Sequence, residues 1–223
     1  MVGPARRRVL ADEVADAIRD AIFSGRIDLG QRLVEEELAS NLSVSRGPVR
    51  EALALLAREG LVHMERHRGT TVAQLDLDSV NELFSLRTAL ERLAAEWACR
   101  NATRQDLDRM TTVLEQFGRL PRPPVRSSVA ALDIAFHDAI FQAAHHERLQ
   151  RSWFAVRSQI FVCLVNRGAL RPDFSQSWLK DHEDLIEVLR RRKPGPAVRL
   201  VVAHTVWPYQ RALEADLEAS KSQ

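Results

Sequence analysis

The sequence has neither the long apolar runs of a membrane protein nor the cysteine content of a disulfide-rich one. None of its segments approaches the roughly 18 consecutive apolar residues that a membrane-spanning helix requires. Its two cysteines, Cys99 and Cys163, lie too far apart for a CxxC-type zinc or redox pair. We therefore expect a cytoplasmic protein with two buried thiols, and the 45% of apolar residues are enough for a substantial core.

A strong excess of positive charge, which many nucleic-acid-binding proteins carry, is also absent. The net charge is +2, and residues 1–73 hold 11 arginines against 11 acidic residues. Composition therefore does not predict nucleic-acid binding, and only the placement of particular arginines can indicate it. We expect the acidic residues of this segment, including Glu35, Glu36 and Glu37, to lie mostly on faces other than the one that carries the arginines.

Residues 34–62 have the pattern of two helices joined by a tight turn. The first is predicted from Val34 to Asn41 and the second from Ser45 to Glu59. Ser45 is a good N-cap, because its hydroxyl can accept from a backbone N–H that has no partner inside the helix. Pro48 falls in the first turn, where a missing backbone N–H costs nothing.

One face of the second helix is apolar and a neighbouring face carries arginine. Val49, Leu53 and Leu56 recur at helical spacing and should pack on the core, whereas Arg46 and Arg50 lie one turn apart on the outward side. Two guanidinium forks at this end of a helix suit the major groove of DNA. The competing interpretation of this segment alone is an ordinary antiparallel helix pair with a solvated arginine face.

A basic hairpin follows the two helices. Residues 61–73, LVHMERHRGTTVA, predict two short strands around a turn that contains Arg66, Arg68 and Gly69. Two helices, the second with arginines at its start, followed by a basic hairpin predict a winged helix-turn-helix. This context favours DNA binding over an ordinary antiparallel helix pair with a solvated arginine face.

The same segment closely resembles the DNA-binding domain of the GntR family of bacterial transcription regulators. The resemblance covers residues 9–73 and lies in GRIDLGQRLVEEELASNLSVSRGPVREALALLAREGLV followed by RGTTV. The chain departs from the family pattern at Gly47, where relatives carry threonine, and at Glu36, where relatives can supply a basic contact. The resemblance implies binding to double-stranded operator DNA through the second helix and the hairpin, with the candidate residues Ser45, Arg46, Gly47, Pro48, Arg50, Arg66, Arg68 and Gly69.

From residue 79 onward the pattern is helical almost to the end of the chain. Helices are predicted at about 78–100, 103–119, 127–144, 147–167, 175–192 and 196–219. Six helices with short links predict a bundle, with a bend at Pro208. The fold class is therefore mainly α, and the expected organisation is a flexible arm at 1–7, a winged helix-turn-helix at 8–74, a linker at 75–78, an all-helical domain at 79–219 and a tail at 220–223.

The helical domain places polar residues among apolar ones on three predicted helices. His182 and His204 share faces with apolar neighbours, and Asp133 and His137 lie one turn apart at the edge of a third apolar stripe. For any one of them, a core residue satisfied by a hydrogen bond is a sufficient explanation. As a set they suit a divalent metal ion, because a buried unpaired carboxylate is costly and imidazoles offer lone pairs. Zn²⁺, Ni²⁺, Mn²⁺ and Fe²⁺ all accept such ligands.

This set also resembles the FCD domain of the FadR subfamily of GntR regulators. The Asp-x-x-x-His of that domain corresponds to Asp133 and His137, and its two later histidines correspond to His182 and His204. The resemblance covers residues 77–215. It implies a metal-containing effector pocket in which a small carboxylate, such as a sugar acid or hydroxy acid, takes the open positions of the metal.

Arg87 is the candidate for pairing with that carboxylate. A guanidinium fork binds carboxylate in bidentate fashion, and Arg87 belongs to a segment that matches the Arg-x-x-Leu-Glu start of the same domain. The alternative is a surface arginine that pairs with Glu91 one helical turn later.

The sequence therefore predicts a transcriptional regulator, a repressor in keeping with most of its family, whose operator binding is controlled by a small carboxylate. A homodimer on a palindromic operator is expected, because one winged helix covers only a half-site. Two other functions use the same ligand set: a metal-dependent enzyme, in which the metal activates water, and a sensor of the metal itself.

Overall fold

The computed structural model describes residues 6–65, 69–74, 77–166 and 174–205 of the chain. It forms two compact units, residues 1–75 and 76–223. The elements of the first unit are helices α1 (Arg6–Phe23), α2 (Glu35–Asn41) and α3 (Arg46–Arg58) and strands β1 (Arg32–Leu33), β2 (Val62–Glu65) and β3 (Gly69–Val72). Since α1 begins at Arg6, residues 6 and 7 of the predicted arm are helical.

The predicted hairpin is the antiparallel pair β2 and β3, to which β1 adds a third strand in the order β1-β3-β2. In β1, Arg32 pairs with Thr71 and Leu33 pairs with Thr70. This strand was not predicted, because two residues are too short to show an alternating pattern and only the hairpin places a partner beside them.

The core of the first unit lies between α1 and α3. Val49, Leu53 and Leu56 of α3 are fully buried, as their spacing predicts, and they share the interior with Ile18 and Ile22 of α1. Burial of this apolar face leaves the opposite side of α3 exposed, including the side chains of Arg46 and Arg50.

Every regular element in the described parts of the second unit is a helix, in agreement with the mainly α fold class. Residues 194–205 are also helical and are named α10 here. The other helices are α4 (Leu77–Asn101), α5 (Arg104–Gly118), α6 (Arg126–Ala143), α7 (Glu147–Phe154), α8 (Arg157–Asn166) and α9 (Phe174–Arg190).

One helix of the predicted six is wrong, because residues 147–167 form the two helices α7 and α8 with a break at Ala155 and Val156. Neither residue breaks helices by itself, so the break carries no local signal in the sequence. Helix α4 begins at Leu77, within the predicted linker at 75–78. The predicted bend at Pro208 and the tail at 220–223 lie outside the described residues.

Arg192 holds α9 against the end of α4. The guanidinium of Arg192, which follows α9, donates to the carbonyl oxygens of Cys99, Arg100 and Ala102 at the end of α4. This satisfies carbonyls that have no partner inside α4 and ties α9 to that helix.

Among the described residues no helix is long and apolar enough to cross a membrane. Both Cys99 and Cys163 are buried, as predicted.

Candidate DNA-binding surface and metal centre

The two arginines at the start of α3 are exposed to solvent. The side chains of Arg46 and Arg50 are 59% and 62% exposed, and they lie one turn apart on the side of α3 opposite its buried residues. This is the placement that the sequence predicts for groups that contact DNA.

The other candidates on α3 differ in their surroundings. Ser45 occupies the N-cap position with an extended backbone, but its side chain makes no capping hydrogen bond, contrary to the prediction. Pro48 is buried in the first turn, where its missing backbone N–H costs nothing. Gly47 is partly exposed beside the two arginines.

An acidic residue, Glu35, lies among these arginines, contrary to the expectation from the sequence. Glu35, the first residue of α2, accepts from Nε and Nη2 of Arg50 at 3.1 and 2.8 Å and from Nη2 of Arg46 at 3.3 Å. Hydrogen bonds from Arg50 hold the pKa of Glu35 below its ordinary value. The expectation that residues 35–37 face away from the arginines is therefore wrong for Glu35, because the turn between α2 and α3 folds the two helix starts together.

At the hairpin, Gly69 has a backbone φ of +94°, which side-chain-bearing residues rarely adopt. A Cβ at this position would lie 3.3 Å from Nη2 of Arg32 on β1. Arg32 is thus a further cation beside the hairpin, and neither this residue nor its strand was predicted. Arg66 and Arg68 lie outside the described residues.

In the second unit, three helices bring together the predicted metal ligands. Asp133 and His137 come from α6, His182 from α9 and His204 from α10. One ligand atom from each of these four side chains lies within 4.8 Å of the others. From Oδ1 of Asp133, Nε2 of His182 and Nε2 of His204 are each 3.6 Å away, and Nε2 of His137 is 3.9 Å from Oδ2.

The ring of His182 is held in one orientation by the backbone. Its Nδ1 lies 2.6 Å from the carbonyl oxygen of Trp178, one turn earlier in α9. Burial, followed by the positive charge of His204, lowers the pKa of His182 to about 3, so the ring is neutral at neutral pH. A carbonyl oxygen only accepts, which places the proton on Nδ1 and leaves the lone pair on Nε2, facing Asp133.

His137 faces a second buried carboxylate on its outer side. Its Nδ1 is 2.9 Å from Oε2 of Glu91, although neither atom has a well-directed hydrogen bond. Glu91 in turn accepts from Nε of Arg87 at 2.6 Å, and Nη2 of Arg87 lies 3.4 Å from Asp133. Arg87 and Glu91 are 2% and 1% exposed. The alternative of a surface arginine is therefore wrong: the pair with Glu91 exists, but it is buried in the cluster.

His204 carries the proton of the cluster. Burial lowers its pKa, but contacts with Asp133 and Asp181 outweigh burial and raise the pKa to about 9. Burial also disfavours the charge of Asp133, yet its contacts with His182 and His204 and the nearby positive charge of Arg87 hold its pKa well below the ordinary value. Trp178 supports that carboxylate through an indole N–H at 2.9 Å from Oδ1.

The donor set fits a divalent metal ion. Nε2 of His137 and Nε2 of His182 are buried and have no hydrogen-bond partner among the described residues, a costly state for two neighbouring acceptors. Nδ1 of each ring faces an acceptor outside the ligand set, the Trp178 carbonyl for His182 and Glu91 for His137. Such outer acceptors orient imidazole ligands in metal sites. The contacts of Trp178 with Asp133 and of Glu91 with His137 were not predicted, because spacing along one helix does not show which groups of other helices lie beside it.

Comparison with known proteins agrees with both units. The family profile described as "Bacterial regulatory proteins, gntR family" matches residues 10–72, and the one described as "FCD domain" matches residues 82–206, more than half of the chain. The chain belongs to the GntR family and carries an FCD domain. The family resemblance expected from the sequence is thereby confirmed.

Relatives of this GntR-family chain align with most of its length. The Uxu operon transcriptional regulator of Escherichia coli (strain K12) is 30% identical over 221 residues, with 91% of this chain and 86% of that protein covered. The gluconate operon transcriptional repressor of Bacillus subtilis (strain 168) is 29% identical over 184 residues, with 80% and 75% covered. A GntR-type transcriptional regulator from Rhodococcus sp. RHA1 shares the fold, with a TM-score of 0.77, 23% identity and 92% and 98% of the two chains covered.

Proposed function

We propose that this GntR-family protein is a cytoplasmic transcriptional repressor whose first unit binds operator DNA and whose FCD domain controls that binding. The controlling ligand is a small carboxylate that binds at a divalent metal ion. The observation that carries the proposal is the buried cluster of Asp133, His137, His182 and His204, in which two imidazole nitrogens have no hydrogen-bond partner among the described residues. These four residues would hold the ion, which would offer Lewis-acid positions to an oxygen ligand.

Charge supports an anionic effector. Four buried groups balance at neutral pH: the cations Arg87 and His204 oppose the carboxylates of Glu91 and Asp133. A divalent ion in place of the proton on His204 leaves one net positive charge in a buried site. Since an uncompensated buried charge is costly, one carboxylate group is the ligand that restores neutrality.

Arg87 is the residue proposed to pair with the effector carboxylate. Its contact with Asp133 is 3.4 Å long and weaker than its contact with Glu91, so Nη2 is the donor that can turn toward a ligand. A gluconate operon repressor among the relatives suggests a sugar acid or hydroxy acid as the carboxylate class.

On the DNA side, the exposed Arg46 and Arg50 of α3 are proposed to contact the major groove. The other proposed DNA contacts are Ser45, Gly47, Pro48, Arg66, Arg68 and Gly69. One winged helix covers a half-site, so we propose a homodimer on a palindromic operator.

The test uses the full-length protein and a duplex that it recovers from a random-sequence library. Binding is followed by fluorescence anisotropy with metal-free protein and with protein loaded with Zn²⁺, Ni²⁺ or Mn²⁺. Each form is titrated with D-gluconate, L-lactate and, as a neutral control matched in length to gluconate, D-glucitol. The expected result is that a hydroxy acid weakens duplex binding of the loaded protein about tenfold, as typical coupling energies allow, whereas glucitol has no effect.

Each other outcome replaces the proposal. A response to metal that no acid changes would make the protein a metal sensor. Consumption of the acid, followed by NMR, would make it an enzyme. Tighter duplex binding in the presence of the acid would mean that the ligand promotes DNA binding instead of releasing the protein from DNA. Equal affinity under all conditions would mean that the cluster does not control DNA binding.

A further inference from the structure

Glu35 occupies an unusual position for a carboxylate on a surface that meets DNA. It lies at the start of α2 and contacts both Arg46 and Arg50 from the start of α3. Its side chain is 23% exposed, against 62% for Arg50, so it lies under the arginines rather than beyond them. A carboxylate in this position governs how the two guanidinium groups are presented.

The contact with Arg50 involves one particular edge of the guanidinium group. Nε and Nη2, the side-on pair of donors, bind Oε1 and Oε2 of Glu35. A guanidinium has five N–H donors in a rigid planar fork, so an arginine held side-on still presents the end-on pair from Nη1 and Nη2. Two parallel end-on donors match O6 and N7 of guanine in the major groove.

The negative charge of Glu35 acts against a different kind of contact. A DNA phosphate that approaches Arg50 must compete with a bidentate carboxylate already bound to it and is repelled by that carboxylate. Phosphate contacts supply affinity without sequence information, whereas base contacts supply discrimination. Glu35 therefore weakens contacts between Arg50 and DNA phosphates and orients the Arg50 side chain for contact with a base.

We propose that Glu35 is the positioning residue for operator discrimination: it holds Arg50 side-on so that its end-on fork meets a guanine, and it limits binding to DNA of other sequence. This inference rests on the proposed DNA-binding function and adds a specificity-determining residue to it. Glu35 acts through Arg50 and need not touch a base itself.

The test compares Glu35→Gln with Glu37→Gln, which removes the same charge from an exposed position of the same helix. Both variants and the wild type are measured on the duplex recovered by the wild type, on its copies with each G·C pair changed to A·T, and on a random-sequence duplex. We expect Glu35→Gln to bind the random duplex about threefold more tightly, with a salt dependence steeper by about one charge. Its preference for the recovered duplex should fall about tenfold, while Glu37→Gln keeps the wild-type preference.

Arg50→Ala shows whether Glu35 acts through the arginine. The two single variants should lose preference at the same base pair, and the double variant should lose nothing further there. Equal preferences for Glu35→Gln and Glu37→Gln would overturn the inference, as would losses at different base pairs for Glu35→Gln and Arg50→Ala. A wild type that recovers no duplex at all would instead overturn the proposed DNA binding itself. Circular dichroism confirms that each variant is folded.

Discussion

Glu35 and Glu91 are both glutamates paired with an arginine, yet their surroundings differ in almost every respect. Arg50, the partner of Glu35, is 62% exposed, whereas Arg87 and Glu91 have side chains only 3% and 1% exposed. An exposed ion pair contributes about 0 to 1 kcal/mol, so DNA can replace it at little cost. A buried pair is different, because removal of one partner leaves a charge without compensation.

The difference indicates how each unit handles a ligand. On the DNA-binding surface, the carboxylate can be exchanged for a ligand or can orient an arginine toward one. In the buried cluster, separation of Arg87 from Glu91 would leave both charges uncompensated, which costs free energy. A ligand must therefore bring a charge that restores the neutrality of the cluster. Three further variants test this contrast, beginning with the largest expected effect.

Removal of the buried arginine should cost the most. We expect Arg87→Ala to lower the free energy of unfolding of the metal-free second unit by about 3 to 5 kcal/mol, because Glu91 and Asp133 lose their cation. Urea titration followed by tryptophan fluorescence measures this unit alone, since all four tryptophans lie within residues 97–207.

Arg100→Ala is the matched control, because Arg100 lies on the same helix and pairs with Glu96, also four residues apart, but is 59% exposed. Its loss should be no more than about 0.5 kcal/mol. Similar losses for Arg87→Ala and Arg100→Ala would contradict the contrast between buried and exposed pairs.

Removal of a proposed ligand should act on metal retention. We expect His182→Ala to lower the affinity for a divalent metal by more than about a hundredfold, because its Nε2 is oriented toward Asp133 by the carbonyl of Trp178. Metal content per chain after dialysis, measured by plasma mass spectrometry, reports the loss. His63→Ala removes an exposed histidine of β2 and should retain the wild-type content. Equal content in both variants would remove His182 from the site.

Asp106 is an intermediate case, a buried carboxylate whose ionic partners are half exposed. It completes the capping box of α5 with Thr103 and contacts Arg109 and His145. Burial opposes its charge, but hydrogen bonds from Thr103, His145 and Arg109 hold its pKa well below the ordinary value. We expect Asp106→Asn to cost about 1 to 2 kcal/mol at pH 7, between the buried and the exposed pair.

The sign of its pH dependence follows from the lowered pKa. The stabilisation is complete above the unfolded-state pKa of about 3.9 and is lost as pH falls toward the lower folded-state value. The difference between wild type and Asp106→Asn should therefore shrink below about pH 4, as urea titrations at several pH values would show. Asp108→Asn, an exposed neighbour on α5, serves as the control. A difference that is constant with pH would contradict the assigned cause.

Local spacing predicted much of this molecule. The apolar face of α3 with its exposed Arg46 and Arg50, and the one-turn spacing of Asp133 and His137, depend on residues a few positions apart, which helical geometry places directly. The break between α7 and α8 and the two-residue strand β1 escaped prediction, because neither has a local signal and only their neighbours define them.

The sequence by itself thus determined the two kinds of domain, the helix that carries the exposed arginines and the residue types able to bind a metal. Only the tertiary structure decided that Arg87 is buried, that Glu35 binds Arg50 and that Glu91 and Trp178 face the histidine rings. The physical reason is that helical periodicity follows from the backbone, whereas the depth of a side chain and its partners on other helices depend on how whole faces pack together.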